Sequence, residues 1–342
     1  MQIRKSRVIT ALCAALVGGV FFTSLHAQPP APPKPVSKAR PAPPPVPQRQ
    51  DIVERALQVA PNVNVRISCI SQARVTVNGW RRNEIRVLVR NGTGVGFQVH
   101  EADPTSKQPV WVMIGRRGTG APAGTDCISG DRIDIEAPFG ASFNIAGRET
   151  EIRIDSLKKV TIKNLGGNVA LRNISGGISA ETFEGDVSVE DSSGQITLKT
   201  STGNILAFGV KSGQIGEAFR VSTSNGAVTL QNVAHRQIEA SSVSGAIIFD
   251  GVLLRGGIYG FKTSNGEIRL SLPANTSSRV EAWYGYGTIN SEIPLKTLTE
   301  NVSSGGKSFV AMIGNGGANL NLTTNSGRIL ISKQPGSVNE KP

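Results

Sequence analysis

The chain has 342 residues and a formal net charge of +12, with 38% hydrophobic but only 5% aromatic residues. Seven of its positive charges precede Asp51 in a stretch without any acid, so the rest of the chain carries a surplus of only five. Nucleic-acid-binding domains concentrate basic charge on one face and interleave it with aromatics. This composition argues against that class, and we expect no nucleic-acid partner.

The first 27 residues have the pattern of a signal peptide. Three basic residues precede an apolar run over residues 8–22, and a small-residue end at Ala27 follows. The run has 15 residues, fewer than the roughly 20 that a membrane-spanning helix needs. We therefore predict cleavage after Ala27 and export to the periplasm, cell surface or medium, with no integral membrane span in the mature chain. A retained N-terminal anchor is the alternative.

Residues 28–50 are dominated by proline, with basic residues interspersed. Such a composition cannot bury a core, and it favours an extended polyproline conformation. We predict a basic, semi-rigid linker here, so that folded structure begins near Asp51.

Two cysteines, Cys69 and Cys127, remain once the signal is removed. An even pair in a protein sent to an oxidising compartment predicts one disulfide. The nearest candidate metal ligand, His100, stands alone in the sequence, so we predict no metal site.

Residues 51–136 differ from the rest of the chain. Apolar residues at helical spacing over 51–60, stopped by Pro61, predict a short helix, and period-two patterns between Val63 and Val89 predict strands. Since a stack of strands exposes unpaired backbone groups at its ends, we expect residues 51–136 to form an N-terminal capping subdomain.

From residue 165 onward a four-residue unit recurs, usually Ser, Thr or Asn followed by Gly, any residue, and Ile or Val. Successive glycines first step by nine or ten residues and later by 19 to 21. A strand with its turn takes about nine or ten residues, so the pattern fits two strand–turn units per coil of a solenoid. The ten copies are Ser175–Ile178, Glu184–Val187, Ser193–Ile196, Thr202–Ile205, Ser212–Ile215, Asn225–Val228, Ser244–Ile247, Asn265–Ile268, Tyr286–Ile289 and Ser326–Ile329.

Apolar and polar residues alternate after most of these glycines, as in strands with one buried face. Stacked coils would bury an aliphatic column and expose rows of Ser, Thr and Asn. We predict an all-β fold with a β-solenoid repeat domain over residues 137–333 and a disordered tail over 334–342. An antiparallel sandwich of hairpins is the alternative, since Asn-Gly turns also signal hairpins.

The parts of a catalytic or cofactor site are largely missing. His100 and His235 lie in unrelated contexts, and we expect both to be solvated loop residues without a triad or zinc site around them. The glycine-rich stretch over residues 92–96 lacks the lysine and helix of a phosphate-binding loop, so we predict a turn there. We predict no catalytic residues, no cofactor and no enzymatic activity.

Two clusters remain as candidate sites. Glu184, Asp186, Glu190 and Asp191 lie along one repeat and could serve a polysaccharide hydrolase or lyase, although acids at turns are usually solvated. Three aromatic residues could stack on sugar rings, or could fill the interior or cover an end of the solenoid: Trp283, Tyr284 and Tyr286.

A signal peptide, a capping region and many Ser/Asn-Gly-x-Ile/Val units together resemble the bacterial putative-adhesin family, whose domain has no assigned function. The resemblance spans Asn64 to Ser332 and includes the Asn78-Gly79-Trp80 entry. It implies a right-handed parallel β-helix-like fold in an envelope or secreted setting, and it brings no catalytic residues.

These features together favour a non-enzymatic, exported envelope scaffold or adhesin-like protein, with a surface polysaccharide or envelope protein as its partner. The alternatives are a carbohydrate-active enzyme built on a β-helix and a membrane-tethered regulatory ectodomain.

Overall fold

The computed structural model describes residues 51–102, 109–117, 126–214, 216–303 and 305–335, all of which fall in one compact unit. The predicted signal peptide and linker, and all but two residues of the predicted tail, lie outside these ranges. Every regular element within them is a β-strand, so the all-β prediction is confirmed. None of the described residues forms a helix that is long and apolar enough to cross a bilayer.

The described residues form 25 strands. The first nine are β1 (Ile52–Gln58), β2 (Asn64–Ser71), β3 (Arg74–Trp80), β4 (Glu84–Arg90), β5 (Val95–His100), β6 (Trp111–Arg116), β7 (Arg132–Pro138), β8 (Ser142–Arg148) and β9 (Glu151–Asp155). The next eight are β10 (Lys159–Gly166), β11 (Val169–Arg172), β12 (Ile178–Glu184), β13 (Val187–Glu190), β14 (Ile196–Thr202), β15 (Ile205–Phe208), β16 (Ala218–Asn225) and β17 (Val228–Gln231). The last eight are β18 (Gln237–Ser244), β19 (Ile247–Asp250), β20 (Ile258–Asn265), β21 (Ile268–Leu272), β22 (Ser278–Ser291), β23 (Lys296–Ser303), β24 (Gly306–Ile313) and β25 (Asn319–Lys333).

Each central coil contributes two strands, and equivalent strands of successive coils pair in parallel. Val160 of β10 pairs with Ile178 of β12, which pairs with Ile196 of β14, an offset of 18 residues each time. The second strands of these coils, β11, β13 and β15, pair in the same way. Two strand–turn units per coil are therefore confirmed. The antiparallel sandwich is wrong, because the nine-residue step places like units beside like units instead of folding them back as hairpins.

Two stacks of strands result, joined at the glycine-containing corners. In spatial order the first stack contains β5, β6, β2, β8, β10, β12, β14, β16, β18, β20, β25, β22, β24 and β23. The second contains β1, β4, β7, β3, β9, β11, β13, β15, β17, β19, β21, β25 and β22. Strands β22 and β25 are long enough to run through both.

Spatial order departs from chain order at both ends. The β2–β3 coil lies between the β6–β7 coil and the β8–β9 coil, and β25 lies between the β20–β21 coil and β22. Beyond the outermost coils the pairing turns antiparallel, with β1, β4 and β5 at one end and β23 and β24 at the other. At the first end β1 and β5, which belong to different stacks, contact each other.

One continuous aliphatic core fills the space between the stacks. The inward positions of β12, Ile178 and Ala180, and of β13, Val187 and Val189, are at most 3% exposed. Because strand residues alternate between faces, the period-two pattern sends every second side chain inward. Full burial of one aliphatic side chain contributes about 1.5–3 kcal/mol, and the core repeats this contribution in every coil.

The glycine corner is held by a repeated contact between coils. The residue three positions before each of these corner glycines is Thr or Ser. Its hydroxyl donates a hydrogen bond to the carbonyl oxygen of the corner glycine in the preceding coil, as Thr223 does to Gly203 at 3.0 Å. Thr200, Ser242 and Thr263 repeat this bond at 3.0 Å, although all of them are buried. The row therefore satisfies its own polar atoms inside the core.

The helix predicted over residues 51–60 is wrong, because the segment forms β1. All seven of its residues pair antiparallel with β4, from Ile52 opposite Arg90 to Gln58 opposite Glu84. Val53 and Leu57, four residues apart, face the core in a strand as readily as in a helix, so their spacing does not separate the two states. Pairing with the open edge of β4 decides the outcome.

Cys69 at the end of β2 and Cys127 before β7 form a disulfide, with Cα atoms 4.5 Å apart. The adjacent residues Ile70 and Ile128 form a parallel bridge. The disulfide therefore joins two neighbouring coils at the end where chain order and spatial order differ.

Candidate functional site

The outer surface of the first stack, called the front face below, consists of two rows of outward side chains that stay in register from coil to coil. The upper row contains Thr161, Ser179, Thr197, Arg220, Glu239, Gly260, Asn321 and Glu281. The lower row contains Lys163, Glu181, Lys199, Ser222, Ser241, Lys262, Thr323 and Trp283. Neighbouring members of a row lie about 4.8 Å apart, the spacing of paired strands.

The predicted aromatic cluster is divided by strand alternation in β22. Trp283 is 38% exposed and ends the lower row of the front face, next to Thr323. Tyr284 is 6% exposed and belongs to the core, so it cannot stack on a ligand. Tyr286 is 79% exposed and lies at the corner beside Ser326. The structure therefore leaves Trp283 on the front face and Tyr286 at its margin as accessible rings.

The four clustered carboxylates lie at opposite ends of one short strand. Glu184 and Asp186 precede β13, and Glu190 and Asp191 end it. From Asp186 to Asp191 the chain advances about 16 Å at strand rise, beyond the roughly 5–10 Å that separates the carboxyl pair of a glycosidase. Asp186 is also engaged, since its Oδ1 accepts a hydrogen bond from the backbone N–H of Asn204 at 2.7 Å.

Asp186 belongs to a structural row. The amide oxygen of Asn168 accepts from the backbone N–H of Asp186 at 2.9 Å, and that of Asn204 accepts from Ala227 at 2.9 Å. The side chains that follow Gly167, Gly185 and Gly203 thus bind the backbone of the next coil, which gives these three residues a role in stacking.

His235 is fully buried, so the expectation of a solvated loop residue is wrong. Its Nε2 donates to the carbonyl oxygen of Gly194 at 2.9 Å, and its ring packs beside Phe219. Burial lowers the pKa of His235, although the Gly194 bond and the charge of Glu217 oppose the shift. The ring is a neutral core residue, which loop-like sequence context could not reveal.

The same region holds Tyr259, whose hydroxyl donates to the carbonyl of His235 at 3.2 Å and accepts from the backbone N–H of Leu254 at 2.6 Å. Burial raises the pKa of Tyr259. Both groups serve the packing of the connections between coils.

His100 is also not a solvated loop residue. It ends β5 and stacks on Trp111, with ring centroids 3.8 Å apart and planes 3° from parallel. The guanidinium of Arg66 lies 5.9 Å from the same indole ring. No group of three or more His, Cys, Asp or Glu residues that could hold a metal ion occurs in the part of the chain that the structure describes.

The front face also holds a shallow trough, not predicted from the sequence, that has a volume of about 510 Å³, crosses five neighbouring strands and includes Gly260 in its lining. Its rim includes Lys199, Arg220, Glu239 and Lys262. A signal exists in the sequence, because Gly260 replaces an outward side chain in an otherwise alternating strand. The sequence does not show, however, that Gly260 lies between Glu239 and Asn321 in a row of outward side chains; only the register between coils does.

The chain was compared with known proteins. A family model described as Toastrack DUF4097 matches residues 56–332, which is most of the chain and nearly all of the described solenoid. No curated protein matches the sequence. Among solved structures, a putative cell adhesion protein from Clostridium sporogenes ATCC 15579 is 11% identical, with 83% of this chain and 100% of that chain covered and a TM-score of 0.28.

Proposed function

The chain belongs to the Toastrack DUF4097 family, and from that premise we propose that it is an exported, non-enzymatic scaffold of the cell envelope that binds a surface polysaccharide along its front face. The in-register rows of the front face carry this proposal. They present hydroxyl, amide and charged groups at a regular spacing over eight coils.

A regular row of this kind suits a polymer better than a small molecule. Each coil offers one or two weak contacts, and a chain of sugars lying across the stack would add them together as linked binding events. Trp283 at the end of the lower row adds an exposed ring, whose flat surface can pack against the apolar face of a sugar.

The non-enzymatic part of the proposal rests on the placement of the acids. Glu184 and Asp186 are separated from Glu190 and Asp191 by the length of β13, and Asp186 is bonded within the backbone row. The repeats use their glycines and short polar side chains for stacking, which supports a structural role for Asp186.

Export is supported by the signal-like N-terminus and by the disulfide between Cys69 and Cys127, since such bonds persist in oxidising compartments. Mass spectrometry of the protein purified from cell fractions should find Gln28 as the mature N-terminus. Detection of intact residues 1–27 in a membrane fraction would instead favour the tethered ectodomain.

Binding can be tested by co-sedimentation of the purified protein with cell-surface polysaccharide from the producing organism. Combined replacement of Thr197, Trp283 and Thr323 by Ala should weaken binding about tenfold or more, the equivalent of losing about 1.4 kcal/mol. A matched control carries Thr229→Ala, Leu206→Ala and Phe208→Ala on the outer face of the second stack, and it should bind like the wild type.

Equal binding by the two triple variants would overturn the front face as the site. Capture of an envelope protein instead of polysaccharide would replace the proposed partner by another class. Release of new reducing ends or unsaturated uronates, lost on Glu184→Gln, would overturn the non-enzymatic assignment.

A further inference from the structure

Gly260 is a strand-interior glycine that coil stacking does not require. It lies in the middle of β20, in the upper row of the front face, where its paired neighbours are Glu239 and Asn321. The nearest heavy atom to a Cβ added at Gly260 is the carbonyl oxygen of Ile238, at 4.0 Å. A side chain would therefore fit without displacing anything.

A glycine at such a position weakens the strand. Glycine in a strand interior is destabilising relative to alanine, because it loses more backbone freedom on folding and packs no side chain. Its effect on the surface is to open the trough, since its outward neighbours Glu239, Asn321 and Lys262 all carry side chains. A residue that lowers stability and shapes a recess indicates a binding role.

The charges around the trough favour an anion. Three cations and one acid line it: Lys199, Arg220, Lys262 and Glu239. Lys199 is paired with Glu181 at 3.1 Å, and Arg220 with Glu239 at 3.2 Å. Lys262 is exposed and forms no ion pair with any residue that the structure describes. It is therefore the cation most available to a ligand.

Neutral polar groups complete the lining. Ser222, Ser241, Thr323 and Asn321 line the trough together with Gly260, and Asn321 pairs directly with Gly260. Short hydroxyls and amides are the groups that donate to and accept from sugar hydroxyls, while the bare backbone offers a flat surface to a ring.

We propose that this trough is the subsite of the front face that holds an acidic sugar of the polysaccharide, with a uronate carboxylate bound by Lys262 and the sugar ring lying over Gly260. This inference rests on the proposed function and gives the class of polymer. Lys199 on β14 and Arg220 on β16, whose partners are exposed, would supply a secondary positive field along the direction in which the coils stack.

The test compares polygalacturonate with dextran of matched length by isothermal titration calorimetry, using the full mature chain. Gly260→Thr fills the trough with a strand-favouring residue. It should raise the thermal midpoint by about 2 °C and weaken polygalacturonate binding about tenfold. Lys262→Gln should also weaken binding roughly tenfold, as expected for the loss of a charge-assisted hydrogen bond.

Ser188→Thr, at an outward position of β13 in the second stack and away from the front face, is the matched control and should leave the affinity unchanged. Equal affinity for dextran, or wild-type affinity in Gly260→Thr and Lys262→Gln, would overturn the acidic subsite while leaving the front face as a polymer-binding surface. Absence of binding to polygalacturonate, with retained binding to the native polysaccharide, would overturn the ligand class. Absence of binding to any polysaccharide would instead overturn the proposed function itself.

Discussion

The glycine corner and the front face use the same residue for opposite purposes. At the corner, Gly226 has a φ of +150°, and a Cβ added to it would overlap the carbonyl oxygen of Gly203 in the preceding coil. On the front face, Gly260 has open space around its Cα. The corner glycine recurs from coil to coil because coil stacking requires it. Gly260 has no counterpart in the neighbouring coils of its row, so coil stacking does not account for it.

The largest expected effect concerns the corner. Gly226→Ala should reduce the free energy of unfolding by more than about 3 kcal/mol, because the added methyl overlaps backbone and the coil must shift. Urea unfolding followed by circular dichroism measures this, and Gly260→Ala serves as the control that should be neutral or stabilising. Similar effects of the two substitutions would break the distinction between the corner and the front face.

The next effect concerns His235, a buried residue in the connection between β17 and β18. Its pKa is lowered in the folded state by burial, so the unfolded state binds the proton more tightly. The stability linked to His235 is therefore full above the unfolded pKa of about 6.5 and is lost as the pH falls below it.

The free energy of unfolding should decline by up to about 1.4 kcal/mol per pH unit in that window. Protonation would occur at Nδ1, which is buried and has no partner among the described residues. His235→Leu should remove this decline of the free energy of unfolding with falling pH and leave the pH dependence that comes from other titratable groups. An unchanged slope in that variant would show that other groups dominate the response.

A smaller effect is expected from the hydroxyl row beneath the corner. Thr223→Val keeps the shape but removes the hydrogen bond to Gly203 and should lower the free energy of unfolding by about 1 kcal/mol. Thr229→Val on the outer face of the second stack is the control and should change stability by less than about 0.5 kcal/mol. An equal response at both positions would mean that the buried row does not support the corner.

The smallest effect is expected on the front face itself. The Arg220–Glu239 pair is exposed at 43% and 52% of its side-chain surfaces. Arg220→Gln should therefore alter the free energy of unfolding by less than about 0.5 kcal/mol, measured in low and high salt. A loss above about 1 kcal/mol would assign the front-face charges to folding and weaken the case for a ligand.

Much of the central solenoid could be predicted, because local chemistry and stacking make the same demand. The corner glycine, the short polar residue before it and the alternating aliphatic residues after it each follow from one coil geometry, and the sequence repeats them. The strands over residues 63–89 were predictable for the same reason, since their inward residues alternate.

The ends and the site could not be predicted to the same depth. Val53 and Leu57 fit a helix or a strand equally, and only the open edge of β4 selected the strand. The nonconsecutive placement of β25 between β20 and β22 has no local signature. Tyr284 and Trp283 differ by one residue, yet alternation in β22 buries one ring and exposes the other.

The sequence by itself therefore determined the coil: its two-strand repeat, its glycine corners and its aliphatic interior. Those properties depend on backbone conformation and on the alternation of side chains, which act between near neighbours. Only the tertiary structure decided which outward residues share a row, because register between coils joins residues 18 or more positions apart. The trough at Gly260, the burial of His235 and the exposure of Trp283 all follow from that register.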